Sequence, residues 1–133
     1  MAREFIGGCS CGTVRYRATA MLRADLCHCR MCQRASGAPV VAWLTVPADA
    51  FSFTQGQPVA YRSSPRAFRH FCPACGSQLT FREPDSPSEI DVNLATLDDP
   101  AAVAPQYHIH TTSRMPWLDI HDDLPRYPGS RTG

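Results

Sequence analysis

Seven cysteines in three tight groups constrain this chain more than any other feature: Cys9-x-Cys11, Cys27-x-Cys29-x-x-Cys32 and Cys72-x-x-Cys75. An odd number of thiols cannot all pair as disulfides, and the segment up to Gly12 has no apolar stretch of the secretory type. The expectation is a cytoplasmic protein with reduced thiols, and thiols this dense in a reducing compartment point to metal. A Cys-x-x-Cys turn brings two sulfurs to the ~3.8 Å edge of a tetrahedron built on ~2.3 Å Zn–S bonds. Pro73 stiffens that turn, and Gly76 tolerates the positive φ that aims backbone N–H groups at sulfur. Cys9 and Cys11 face one side of an extended segment, and Gly7, Gly8 and Gly12 permit the bend that brings them to one centre.

Two such pairs make a closed four-sulfur site, whose binding energy is folding energy of roughly 10 kcal/mol or more. Cys27, Cys29 and Cys32 can then hold a second ion with its fourth position open to water or a substrate thiol. Seven reads as four plus three. A single zinc site with spare buried thiols, an iron site and redox cysteines are the other partitions the spacing allows.

The 133 residues fill one domain, expected over 1–133 with a core from about 5 to 128. A hydrophobic share of 44% is that of a globular chain, and a net charge of +1 argues against a coat for nucleic acid or an anionic membrane. No run approaches the ~18 apolar residues of a membrane span. All thirteen basic residues are arginine, which reads as codon bias. Twelve prolines spread along the chain leave little room for helices longer than two turns.

Period-two alternation and β-branched runs predict strands over residues 13–18, 40–46, 50–53, 59–62, 67–71, 78–82, 89–94, 106–109 and 117–120, with a helical turn or two over 30–35. The fold class is therefore mainly β. Core candidates are Phe5, Val14, Tyr16, Val41, Trp43, Phe51, Phe53, Phe71, Leu79, Phe81, Val92 and Leu94.

The string from Gly7 through Cys9 and Cys11 to Tyr16 resembles the opening of the glutathione-dependent formaldehyde-activating enzyme family, which includes centromere protein V. Cys27-His28-Cys29-Arg30-Met31-Cys32 and Phe71-Cys72-Pro73-Ala74-Cys75-Gly76 resemble its second and third motifs, and Leu97-Asp98-Asp99-Pro100, His108-Ile109, Trp117 and Leu124-Pro125 its tail. The resemblance implies a β-tent fold of small packed sheets pinned by a structural zinc on Cys9, Cys11, Cys72 and Cys75. It also implies a catalytic zinc on Cys27, Cys29 and Cys32. The implied activity joins formaldehyde to glutathione as S-hydroxymethylglutathione, formally a carbon–sulfur lyase run in reverse.

Arg30 and Arg34 lie four apart beside the triplet, share a face of a short helix and suit the carboxylates of a thiol such as glutathione. His28, between two ligands in an extended segment, is expected to point away from the metal, either behind the site or at the surface. His108 and His110 are expected to share one strand face as solvated or hydrogen-bonded residues. Asp98, Asp99, Asp122 and Asp123 read as turn or capping residues, and Trp43 and Trp117 as core. The competing class is a non-catalytic zinc-stabilised module that binds a protein or nucleic acid. Nucleic acid is disfavoured by the charge, and a thiol redox protein comes last.

Overall fold

Alternating side chains and frequent turn residues give ten strands and one short α-helix in the computed structural model, which describes residues 3–131. In chain order these are β1 (Phe5–Gly8), β2 (Arg15–Ala18), β3 (Arg23–Cys27), α1 (Arg30–Ser36), β4 (Val41–Pro47), β5 (Phe51–Gln55), β6 (Val59–Ser64), β7 (Ala67–Phe71), β8 (Gln78–Arg82), β9 (Glu89–Asn93) and β10 (Tyr107–Ile109). The strands form a three-stranded sheet, β1-β2-β5, and a seven-stranded sheet, β10-β3-β4-β9-β8-β7-β6. Every pairing is antiparallel except β10 with β3. The chain is mainly β, as its residue pattern predicts.

Because strand side chains alternate, each face of the large sheet has its own character. Ala24, Leu44, Val46, Ile90 and Val92 face the small sheet and join Phe5, Val14, Tyr16 and Ala18 in one buried core. The register puts Asp25 opposite Trp43, Cys27 opposite Val41, and Asp91 opposite both Thr45 and Phe81. That second face is where charged, aromatic and thiol side chains collect.

Two expectations about the elements fail. Residues 117–120 form no strand, and Trp117 lies 71% exposed and outside the core. Strand β3 went unpredicted because Asp25 and Arg23 interrupt its apolar content. β1 did so because glycine ends it. Gly7 is nonetheless needed there, since a Cβ would overlap the Thr96 carbonyl and the Tyr16 hydroxyl. Of the core candidates, Phe51, Phe53, Phe71 and Phe81 are half-buried and the other eight are buried.

Candidate metal centres

The four-cysteine cluster sits where the two sheets meet. Cys9 and Cys11 follow β1 of the small sheet, whereas Cys72 and Cys75 follow β7 of the large one. Each pair lies on a turn closed by backbone hydrogen bonds, Gly12 N–H to Cys9 O at 3.2 Å and Gly76 N–H to Cys72 O at 2.8 Å. Gly12 and Gly76 hold φ of 81° and 80°, the left-handed conformation glycine accepts without strain. The Ser10 N–H donates to Ser77 Oγ at 3.0 Å and ties one turn to the other.

Sulfur separations of 3.6 Å (Cys9–Cys11) and 3.8 Å (Cys11–Cys72) match the tetrahedral edge expected for zinc. Ser77, through its hydroxyl and then its backbone, draws the Cys75 thiol down to about 5. Four convergent sulfurs at these separations fit a metal ion.

The three-cysteine cluster is built from the end of β3 and the first turn of α1. Cys27 and Cys32 are buried with sulfurs 3.8 Å apart, and Cys29 is partly exposed. Cys29 caps the helix, its sulfur accepting the Cys32 N–H at 3.3 Å, and Gly37 ends it at φ 75°. The Gln33 side-chain amide reaches the carbonyls of His28, Pro39 and Ser113 and fixes the loop around the cluster.

Arg69 is only 6% exposed, and its guanidinium lies 4.8 Å from the Phe81 ring centre and donates to Cys32 Sγ at 3.6 Å. Hydrogen bonds from Cys27 and Cys29, then from Arg69, drive Cys32 well below the usual thiol range. The same thiol contacts, with burial, push Cys27 up. The cluster therefore holds its negative charge beside Arg69. Among the described residues, no fourth ligand joins the three sulfurs within 4.8 Å.

A cavity of about 310 Å³ opens on this cluster, walled by Trp43, Phe81 and Ile109 and reached by Arg30, Arg69, Asp25 and Asp91. A larger apolar cavity of about 570 Å³ adjoins it, sharing Met31 and Arg69 and lined by Arg34 and Tyr61. Burial and the neighbouring Asp91 push Asp25 up to about 7. Burial likewise raises Asp91 to about 6, against the Thr45 hydroxyl that donates to it at 2.5 Å.

The structure gathers all seven cysteines into the two groups predicted. Arg30 and Arg34 are exposed and open onto the two adjoining cavities, although Arg30 is bonded to Gln33 Oε1 at 2.8 Å. His28 points away from the cluster, as expected, and of the two places expected for it takes the buried one behind the site. Its Nε2 meets His108 Nδ1 at 2.8 Å, and His108 Nε2 meets Asp122 Oδ2 at 2.9 Å. Asp122 is therefore a buried histidine's partner as well as a turn residue, and Asp98 is paired with Arg15 at 2.5 Å.

His110 does not share a face with His108. It lies past the end of β10, at φ 54°, beside the cysteine cavity. Trp43 is buried as predicted, and it also walls that cavity. Asp25 and Asp91 are the site residues that sequence reasoning missed, and it ranked Arg69 below Arg30 and Arg34 as a partner for a substrate carboxylate. The alternation of Arg23, Asp25 and Cys27 with Ala24 and Leu26 was a usable signal for the first.

A mainly β chain with a four-cysteine and a three-cysteine cluster, each able to hold a metal ion, defines a class of small cysteine-rich domains, and comparison with known proteins names it. The model of the glutathione-dependent formaldehyde-activating enzyme family matches residues 4–113, and the chain belongs to that family. A crystal structure of a Rhodobacter sphaeroides protein, determined as a structural-genomics target, is similar in fold. It has a TM-score of 0.60 and 25% identity, over 75% of this chain and 91% of that one. Among the described residues no helix is long and apolar enough to cross a membrane.

Proposed function

We propose that the chain is a zinc-dependent enzyme of the carbon–sulfur lyase type. Its substrate is a thiol adduct, with glutathione the leading thiol and formaldehyde or another small carbonyl its partner. The observation that carries this reading is the contrast between the clusters: four sulfurs close one, whereas three sulfurs and a cavity leave a position beside Cys29. Cys9, Cys11, Cys72 and Cys75 hold the structural ion, and Cys27, Cys29 and Cys32 the catalytic one. Zinc bound by the triplet supplies a Lewis acid that lowers the pKa of a thiol in the free position.

The rest falls to the chain itself. Trp43, Phe81 and Ile109 exclude water from the sulfur. Arg30 and Arg34 bind the substrate's carboxylates at the mouth, and Arg69 balances the charge of the cluster. The thiol sulfur attacks the carbonyl carbon, a C–S bond replaces the C=O π bond, and the thiol's proton ends on the new hydroxyl. No redox change is involved.

The test is a native mass spectrum of wild type and Cys29→Ser, with and without glutathione. Two zinc ions and one glutathione adduct are expected for wild type, and one zinc and no adduct for the folded variant. A Cys29→Ser protein that keeps two zinc ions overturns the four-plus-three partition. Two zinc ions with no adduct in the wild type overturn glutathione as the substrate.

A further inference from the structure

Two large apolar side chains that the fold leaves at the surface, Met31 (57% exposed) and Tyr61 (60%), line one cavity of about 570 Å³. Its wall is one side of α1, where Arg34 and Ala35 follow Met31 by three and four residues. Its floor is one face of β6, β7 and β8, since Tyr61 pairs with Arg69 and Phe71 with Gln78. The Gln78 side-chain amide donates to the Ala35 carbonyl and joins wall to floor. Helix and strands leave between them an open trough, apolar along Met31, Ala35, Phe71 and Tyr61. A concave apolar surface with a few polar groups is the usual form of a small-molecule site.

Charge narrows the occupant. Two arginines line the trough, and among the described residues no acid does. Arg69 is engaged with Cys32 and the Phe81 ring, whereas Arg34 has no side-chain partner among the described residues. One free guanidinium matches one carboxylate in charge and in its planar fork. A phosphate dianion would bring a second charge with no partner. The trough shares Met31 and Arg69 with the cavity at the three-cysteine cluster, so it lies beside that site without using its sulfurs.

We propose that the trough binds an aryl or alkyl carboxylate, its apolar body on Met31, Tyr61 and Phe71 and its carboxylate on Arg34. The site stands on this geometry and not on thiol chemistry at the triplet. It adds an apolar body to the carboxylate that Arg34 holds.

The experiment is calorimetric titration of the zinc-loaded protein with 4-phenylbutyrate, 4-phenyl-1-butanol and butyrate. Phenylbutyrate should bind, and butyrate should bind roughly tenfold or more weaker for want of the ring. The alcohol should bind roughly five- to tenfold weaker than the acid, between an exposed ion pair and a charge-assisted hydrogen bond. Arg34→Gln should abolish the preference for acid over alcohol, and Tyr61→Ser should weaken both phenyl compounds. Both side chains are exposed, so both variants should fold and keep the wild-type zinc count. No binding of phenylbutyrate, or equal binding of acid and alcohol to the wild type, overturns the inference. Binding that neither substitution changes lies elsewhere, the metal included, and overturns it too. The thiol-site reading is unaffected by any of these results, because it falls only on a missing glutathione adduct.

Discussion

Replacing Arg69 by Met separates the charge at the three-cysteine cluster from its packing. Three thiolates around a divalent zinc leave one net negative charge, and Arg69 is the buried cation that faces it, at 3.6 Å from Cys32 Sγ. At that separation and an effective dielectric of about 20, the gross attraction is about 5 kcal/mol. Desolvation of the guanidinium takes back part of this, leaving the ~1.5–3 kcal/mol typical of a hydrogen bond to a charged group. Zinc affinity at this cluster should therefore fall by roughly 10- to 100-fold, the range seen when a partner behind a metal ligand is lost.

Methionine keeps most of the contact with Phe81, so the sheet should stay folded. The assay is a chelator titration followed by native mass spectrometry, in which the two zinc ions leave in separate steps. Only the first step should move to lower chelator concentration. Equal weakening of both steps, or no shift in either, would refute the electrostatic role of Arg69.

Cys72→Ser opens the cluster that joins the two sheets, and should remove several kcal/mol of stability; a single zinc and a lower thermal midpoint are the readouts. His108→Leu leaves His28 Nε2 buried without its partner and should cost about 1–3 kcal/mol in denaturant unfolding, with the metal count unchanged. Asp91 has a folded pKa of about 6 against an ordinary 3.8, so the native state keeps a proton that the unfolded state has released between these values. Wild-type stability is therefore lost as pH rises from about 4 to about 6, and Asp91→Asn should gain relative to it over that window. The bound is about 3 kcal/mol, from a difference of about two units at 1.36 kcal/mol each, less the Thr45 hydrogen bond. An equal slope in both proteins over that range would count against the buried carboxyl.

Much of this was legible because it depends on local rules. Cys-x-x-Cys and Cys-x-Cys spacing limits where sulfurs can meet, and β7 and β8 fall on the predicted residues because aromatic and β-branched side chains fill them. β3 was illegible for a physical reason. Its apolar side chains, Ala24 and the half-buried Leu26, alternate with Arg23, Asp25 and Cys27 on the opposite face, so two of its five residues are charged. The same hidden strand carries Asp25, which is why the acidic side of the site was missed along with it. Arg69 was undervalued since its importance comes from the pairing of β7 with β8, which sets it opposite Phe81. The histidine pair depends on the parallel docking of β10 against β3, a contact between segments about 80 residues apart.

The difference between the two thiol clusters follows from where the chain supplies their ligands. The closed site draws one pair from each sheet, so the two turns meet at the seam and four sulfurs converge, Cys9 and Cys72 buried and Cys11 and Cys75 exposed. The open site takes all three sulfurs from one strand end and the helix beside it. The neighbouring strands present Ile109, Trp43 and Phe81 to the cluster, none of which has an atom to bind zinc, and His110 beside the cavity does not converge with the three sulfurs within 4.8 Å. The nearest cation, Arg69, repels a metal ion and attracts the thiolates. Asp25, the carboxylate on the same strand face, stands a full strand repeat away. Residue types on the flanking strands thus keep the cluster at three sulfurs, and the same strands wall the cavity through which, on the proposed function, a thiol substrate would approach it.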